Sequence, residues 1–221
     1  MGFGAGHIGL DHQDEKQIDY LLNEILDFGI NLIDTARGYG QSEERIGKFL
    51  SHRRQDTVLS TKVGYSIPGY EDWSSGIITA GIDHALKLLK TDYLDIVHLH
   101  SCDKEILERG EVIEALLAAK QAGKIRAAAY SGENEGLQYA VDLQVFDSIE
   151  CSVNIFELNS LKQQVKQAKE QGMGVIAKRP IANAPWRYDT RPVGEYVEPY
   201  WERMQQLTLP RDYPLNELAL R

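Results

Sequence analysis

The sequence has 221 residues, 43% of them hydrophobic, enough to bury the core of a single ordinary domain spanning 1–221. Its 33 acidic against 24 basic side chains give a net charge of -9, which argues against a nucleic-acid partner, because displacing phosphate counterions needs a basic surface. No run of about 18 apolar residues, basic amphipathic stretch or signal-peptide pattern points to a membrane or to export. Two cysteines, Cys102 and Cys151, make no disulfide framework, so free thiols in a reducing cytoplasm are expected.

In chain order, Met1–Gly4 reads as a clipped first strand. From Asp14 to Phe28, Ile18, Leu21, Leu22, Ile25 and Phe28 recur at helical spacing, and Gly29 is the stop. Ile30–Asp34 is a short buried strand, and Ser42 with Glu43 and Glu44 starts a helix towards Leu50, acidic in its first turn. The alternation repeats: strand Asp56–Lys62, helix Ile77–Lys90, strand Tyr93–His100, helix Lys104–Ala122, strand Ile125–Ser131 and short helix Gly136–Asp142. Strand Phe146–Val153, helix Asn159–Gln171 and strand Gly174–Lys178 complete it.

Such alternation implies βα units around a parallel sheet. Polar side chains end nearly every strand: Asp34, Lys62, His100, Ser131 and Lys178. A closed barrel gathers residues from all its strand ends over one cavity, whereas a doubly wound sheet binds only near a switch point. The expected class is therefore α/β, of the (β/α)8 TIM-barrel type.

The opening Gly4-Ala5-Gly6-His7-Ile8-Gly9 matches the G-x-G-x-x-G dinucleotide fingerprint. That fingerprint needs a full strand before it and a helix opening on its last glycine. Only three residues precede Gly4, and Leu10–Gln13 separates Gly9 from the helical pattern, so a Rossmann unit is not expected.

The stretch DTARGYGQSEERIG carries the most information. It resembles the aldo-keto reductase family, whose motif places an Asp, a Tyr five residues on, then Gly-x-Ser-Glu and a helix; here these are Asp34, Tyr39, Gly40, Ser42 and Glu43. Ser60-Thr61-Lys62-Val63-Gly64 is similar to the family's lysine strand, and Asp95–His100 to its histidine strand. Gly123–Arg126 leading to Tyr130-Ser131-Gly132 resembles its strand into the cofactor amide site. The resemblance implies NADPH- or NADH-dependent reduction of a small carbonyl substrate by the catalytic residues Asp34, Tyr39, Lys62 and His100.

The chemistry agrees with the residues. Reducing a carbonyl by hydride needs an acid for the developing alkoxide. A phenol, with a pKa of about 10, needs a neighbouring cation to sharpen it. Lys62 can supply the charge, Asp34 one strand over can hold the ammonium, and His100 can orient the carbonyl oxygen.

For the cofactor, the resemblance implies contacts from Gly4 and Ala5, in the loop after the first strand, and from Ser131. Glu150 stands where the family usually has a Gln for the nicotinamide carboxamide. Lys178, Arg179, Pro180 and Ile181 fill the place of the family's aromatic-Ser-Pro-Leu. Trp73, after the lysine strand, is a candidate wall of the substrate pocket, with packing against the rim as its other reading; Trp186 has the same two.

His98 and His100 share a strand face, but none of the six His residues lies beyond His100, so a metal-ligand set is short and no metal is expected. Two other functions stay open. Lys62 could form a Schiff base as in barrel aldolases, if it were not held charged by Asp34. Some reductase-like folds serve as non-catalytic binding or regulatory subunits. Pro214–Arg221 resembles the start of the family's seventh barrel helix, so the final βα segment is expected to be absent. An unclosed barrel has unpaired strand edges, which favour a homo-oligomer.

Overall fold

The structure, a computed structural model, describes residues 1–209 and 212–220. It divides into two compact units, Met1–Ile149 and Glu150–Arg221. Among the described residues no helix is long and apolar enough to cross a membrane.

The first unit is a run of parallel strands, each followed by helix: β1 (Gly2–Gly4), α1 (Glu15–Asp27), β2 (Leu32–Asp34), α2 (Ser42–Leu50), β3 (Val58–Val63) and α3 (Ser75–Leu89). Then come β4 (Leu94–His100), α4 (Lys104–Arg109), α5 (Glu111–Gln121), β5 (Ile125–Ser131) and α6 (Asn134–Leu143). Strand order follows chain order from β1 to β5. The single helix expected over Lys104–Ala122 is instead two. Gly110, with φ of 80°, breaks it, a conformation that a β-carbon would penalise.

Local chemistry explains the helix starts. Asp14 caps α1 by accepting from the Gln17 amide at 2.9 Å, and Ser74 caps α3 by accepting from the Ile77 amide. The helices bury one apolar face each against the sheet: Ile18, Leu22 and Ile25 on α1, and Ile78, Ile82 and Leu89 on α3. Each such burial stabilises by roughly 1.5–3 kcal/mol, so these faces dominate the adhesion of helix to sheet.

Alternation along the strands sorts the side chains of β3. Thr61 meets Glu43 on α2, while a β-carbon at Gly81 of α3 would lie 3.2 Å from Val63. Ser60 and Lys62 therefore point to the opposite face, towards Asp34. The register sets Asp34 level with Ser60, and Lys62 level with His98.

At the other, amino-terminal end of these strands, Asp95 ties three elements together. Its Oδ2 accepts from Arg54 at 2.7 Å and from the Leu59 amide at 2.9 Å, and its Oδ1 from Arg126 at 2.9 Å. Both guanidinium groups lie on the Tyr93 ring, at 4.0 and 3.9 Å from its centroid.

The unit boundary falls inside β6 (Ser148–Ser152). The second unit then contains α7 (Asn159–Lys162), α8 (Gln164–Glu170), β7 (Gly174–Lys178), α9 (Glu198–Gln206) and α10 (Leu215–Leu218). The expected helix Asn159–Gln171 is interrupted at Gln163, whose ψ of -80° is not helical. The helix α9 has no counterpart in the sequence reading. Its Tyr200 packs with Phe156 and Ala182 in a small apolar cluster that Trp186 and Met204 also touch. For Trp186 this contact supports the packing reading.

Removing the Asp95 carboxylate leaves Arg54 buried without its charge partner. Asp95→Ala is expected to lower the unfolding free energy by about 3 kcal/mol, read from urea denaturation. A loss under about 1 kcal/mol would mean that the cluster is no more than a surface ion pair.

Candidate active site

The carboxyl ends of β2, β3 and β4 bring four polar side chains together. Lys62 has 1% of its side chain exposed, and its Nζ donates to Asp34 Oδ2 at 2.6 Å and to the Thr35 carbonyl at 3.0 Å. An ammonium this deep needs compensation, since the desolvation penalty of a buried ion is several kcal/mol. Asp34, 17% exposed, supplies the opposite charge.

Asp34 is itself held from the other side. Ser60 Oγ donates to Asp34 Oδ1 at 2.7 Å and lies 3.1 Å from His98 Nε2. The hydroxyl has one proton, which it gives to Asp34, so His98 donates to Ser60 through Nε2. His98, the first histidine of the His-x-His pair, thus serves the carboxylate through Ser60.

Tyr39 sits in the loop after β2. The Lys62 ammonium is 5.4 Å from the centroid of its ring. His100 meets the same ring edge-on, with centroids 5.8 Å apart and planes at 87°. All four residues named from the sequence are therefore neighbours in one unit.

Backbone packing puts Tyr39 there. A β-carbon at Gly9 would lie 1.7 Å from the Tyr39 carbonyl oxygen, and one at Gly40 would lie 2.4 Å from the Gly9 carbonyl oxygen. The Gln41 amide donates to the Gly9 carbonyl at 3.0 Å. Ser42 Oγ donates to the Ala5 carbonyl and accepts from Thr35 Oγ1, both at 2.8 Å. Arg45, buried on α2, donates to the Ile8 and Leu10 carbonyls. After β1 the chain makes only a short 3-10 turn at His7–Gly9, with no helix opening on Gly9. The loop's last glycine serves the approach of two loops.

Gly4 pairs level with Asp34, and Ala5 donates its amide to the Asp34 carbonyl at 2.8 Å. A β-carbon at Gly4 would meet no atom within 4 Å, so the backbone there borders open space. Ser131 ends β5, level with His100, and is fully buried. Trp73 is half-buried and has a left-handed backbone with φ of 62°. It lies against Gly64, where a β-carbon would come within 2.2 Å of its ring, and it meets Tyr65 edge-on at 5.9 Å. Tyr65 in turn stacks on His100. Tyr65 carries little signal in the sequence beyond an aromatic ring three residues after Lys62.

In the second unit Glu150 is buried on β6, and Lys178 ends β7 half-buried. Arg179 follows with φ of 55°; it donates to Ser152 Oγ at 2.7 Å and to the Tyr196 hydroxyl, and its guanidinium lies 4.9 Å from the Tyr196 ring centroid. Pro180 and Ile181 are exposed, and Ala182, Asn183 and Ala184 all have left-handed backbones. Two half-buried cations followed by an irregular loop are a donor set that fits a phosphate-bearing ligand. Cys102 and Cys151 are both buried and outside any disulfide, and burial pushes the Cys102 thiol up to about 12, which leaves it inert.

Parallel βα units with their polar groups at strand carboxyl ends are the arrangement of a barrel-type fold, and the comparisons give its family. The model of the aldo/keto reductase family matches residues 1–219, and the chain belongs to that family. It is 30% identical to L-galactose dehydrogenase of Arabidopsis thaliana over 197 residues, which are 82% of this chain and 61% of that protein. Among solved structures, it resembles aldo-keto reductase AKR11C1 from Bacillus halodurans (holo form), with a TM-score of 0.79 and 31% identity, covering 100% of this chain and 76% of that one. An aldo-keto reductase from Klebsiella pneumoniae in complex with NADPH has the same fold, with a TM-score of 0.72 at 23% identity, covering 85% and 66%. The chain spans about three fifths of the length of the curated relatives it matches. The fold is thus the (β/α)8 type expected from the sequence.

Glu43 offers a test of the packing that carries this site. Its Oε1 accepts from Thr61 Oγ1 at 2.6 Å, and burial raises its pKa above 4.5, opposed by that hydrogen bond and by the Arg37 charge. A folded pKa raised above the unfolded one gives stability that is full below about pH 4.5 and lost as pH rises through the folded value. Glu43→Gln is expected to remove that loss. In urea denaturation at a series of pH values, the variant should gain on the wild type as pH rises above about 4.5. Parallel stability curves would contradict the assignment.

Proposed function

We propose that the chain catalyses NAD(P)H-dependent reduction of an aldehyde or ketone to an alcohol. The observation that carries this reading is the buried Lys62–Asp34 pair beside Tyr39 and His100. In this reading Tyr39 is the acid. As charge develops on the carbonyl oxygen, its hydroxyl proton passes to that oxygen, and the nearby Lys62 ammonium steadies the phenolate left behind. Asp34 keeps the ammonium charged and in place. His100 donates to the carbonyl oxygen and aligns it towards Tyr39.

The nicotinamide dinucleotide, when bound, supplies the hydride that reaches the carbonyl carbon. In the first unit, Gly4 and Ala5 would approach its ribose by backbone and Ser131 would hold the carboxamide; in the second, Glu150 stands as a carboxamide contact by the family resemblance. Lys178, Arg179, Pro180 and Ile181 would line its further course, with the two cations towards phosphate. Trp73, carried by Gly64 and Tyr65, would wall the substrate side. A cytoplasmic setting, where reduced nicotinamide and reduced thiols are both maintained, goes with this reading.

The Schiff-base alternative needs a neutral amine, and a carboxylate 2.6 Å from Nζ favours the ammonium. Borohydride trapping of substrate on Lys62 would speak for that alternative. Dinucleotide binding without turnover of any carbonyl would speak for a binding subunit.

The deciding assay is NADPH oxidation with a panel of aldehydes and ketones. Tyr39→Phe is expected to lower kcat by about 10²–10⁴ while dinucleotide binding persists. Turnover unaffected by Tyr39→Phe would refute Tyr39 as the acid.

A further inference from the structure

Tyr65 is a second phenol in this site, and the mechanism above gives it no part. Its Oη lies 2.7 Å from His100 Nδ1, and its ring stacks on the imidazole with centroids 5.3 Å apart and planes at 29°. The surrounding backbone is shaped around this pair. A β-carbon at Gly38 would lie 2.9 Å from the Tyr65 hydroxyl, and Gly64 admits the Trp73 ring that meets Tyr65 edge-on. Glycine at both positions lets the phenol reach His100 and hold there.

We propose that Tyr65 is a positioning residue for His100: its hydroxyl donates to Nδ1 and so fixes the imidazole with its proton on Nε2. That is the tautomer able to donate to a carbonyl oxygen. The reverse arrangement, with Nδ1–H donating to Tyr65, would present a lone pair at Nε2 and repel the carbonyl. Burial raises the Tyr65 phenol above its usual value, aided by the neighbouring Tyr39, so Tyr65 keeps its proton to donate. The two phenols thus divide the work: Tyr39, beside Lys62, gives up its proton, and Tyr65 retains its own.

The inference rests on the reductase reading for its purpose, but not for its test. Two-bond proton–nitrogen correlation spectra of the full chain, labelled with ¹⁵N-histidine, read the tautomer of each ring, with His100 assigned by its loss in His100→Gln. The wild type is expected to show His100 protonated at Nε2. Tyr65→Phe keeps the stacked ring and removes the hydroxyl; a mixture of tautomers is expected there, with kcat down by about tenfold and KM little changed. A wild-type His100 protonated at Nδ1 would overturn the proposal, as would a Tyr65→Phe variant whose tautomer is unchanged. If no carbonyl is turned over, the reductase reading fails while the tautomer of the wild type still decides this one.

Discussion

An ammonium buried to 1% exposure cannot stand alone, and much of the candidate site follows from how this chain accommodates Lys62. The neighbouring strand supplies Asp34 at 2.6 Å, and the Thr35 carbonyl takes a second ammonium proton. Asp34 then needs partners for its other oxygen, which Ser60 provides with His98 behind it. A chain of hydrogen bonds thus runs from β4 through β3 to β2 and ends on the cation beside Tyr39. Breaking such a pair on one side leaves an uncompensated buried charge, which costs far more than the pair itself contributes. The arrangement is therefore held in one geometry, which is what the role proposed for Tyr39 requires.

The first unit separates the candidate site from a second polar cluster along the strand axis. At the amino-terminal ends, Asp95 gathers Arg54, Arg126 and the Leu59 amide, with both guanidinium groups on Tyr93. At the carboxyl ends, loops are pressed together through glycines: Gly9 against the Tyr39 carbonyl, Gly40 against Gly9, and Gly38 under Tyr65. Cohesion at one end lets the other carry a buried cation and left-handed residues such as Trp73, which cost stability.

The βα alternation was legible from hydrophobic period and spacing, and Asp34, Lys62 and His100 stood out as polar groups at strand ends that the fold brings beside Tyr39. DTARGYG added spacing that matches a known family. What was not legible depends on three-dimensional contact. Lys104–Ala122 has a continuous helical pattern, and only the left-handed Gly110 reveals two helices. Tyr65 has no periodic signature; its meaning comes from a ring stacked on a histidine 35 residues away in sequence. The same holds for the opening GFGAGHIG. Its match to a dinucleotide fingerprint was incidental, and Gly9 is explained by the carbonyl of a residue 30 positions later.

The central claim is that Lys62 and Asp34 act as one unit, each present because of the other. A double-mutant cycle in urea unfolding, with Lys62→Met, Asp34→Leu and both together, measures this directly. The account predicts strong coupling, about 2 kcal/mol or more, with the double variant more stable than the sum of the single losses allows. Losses that add within about 0.5 kcal/mol would contradict it, for the two side chains would then be neighbours without being partners.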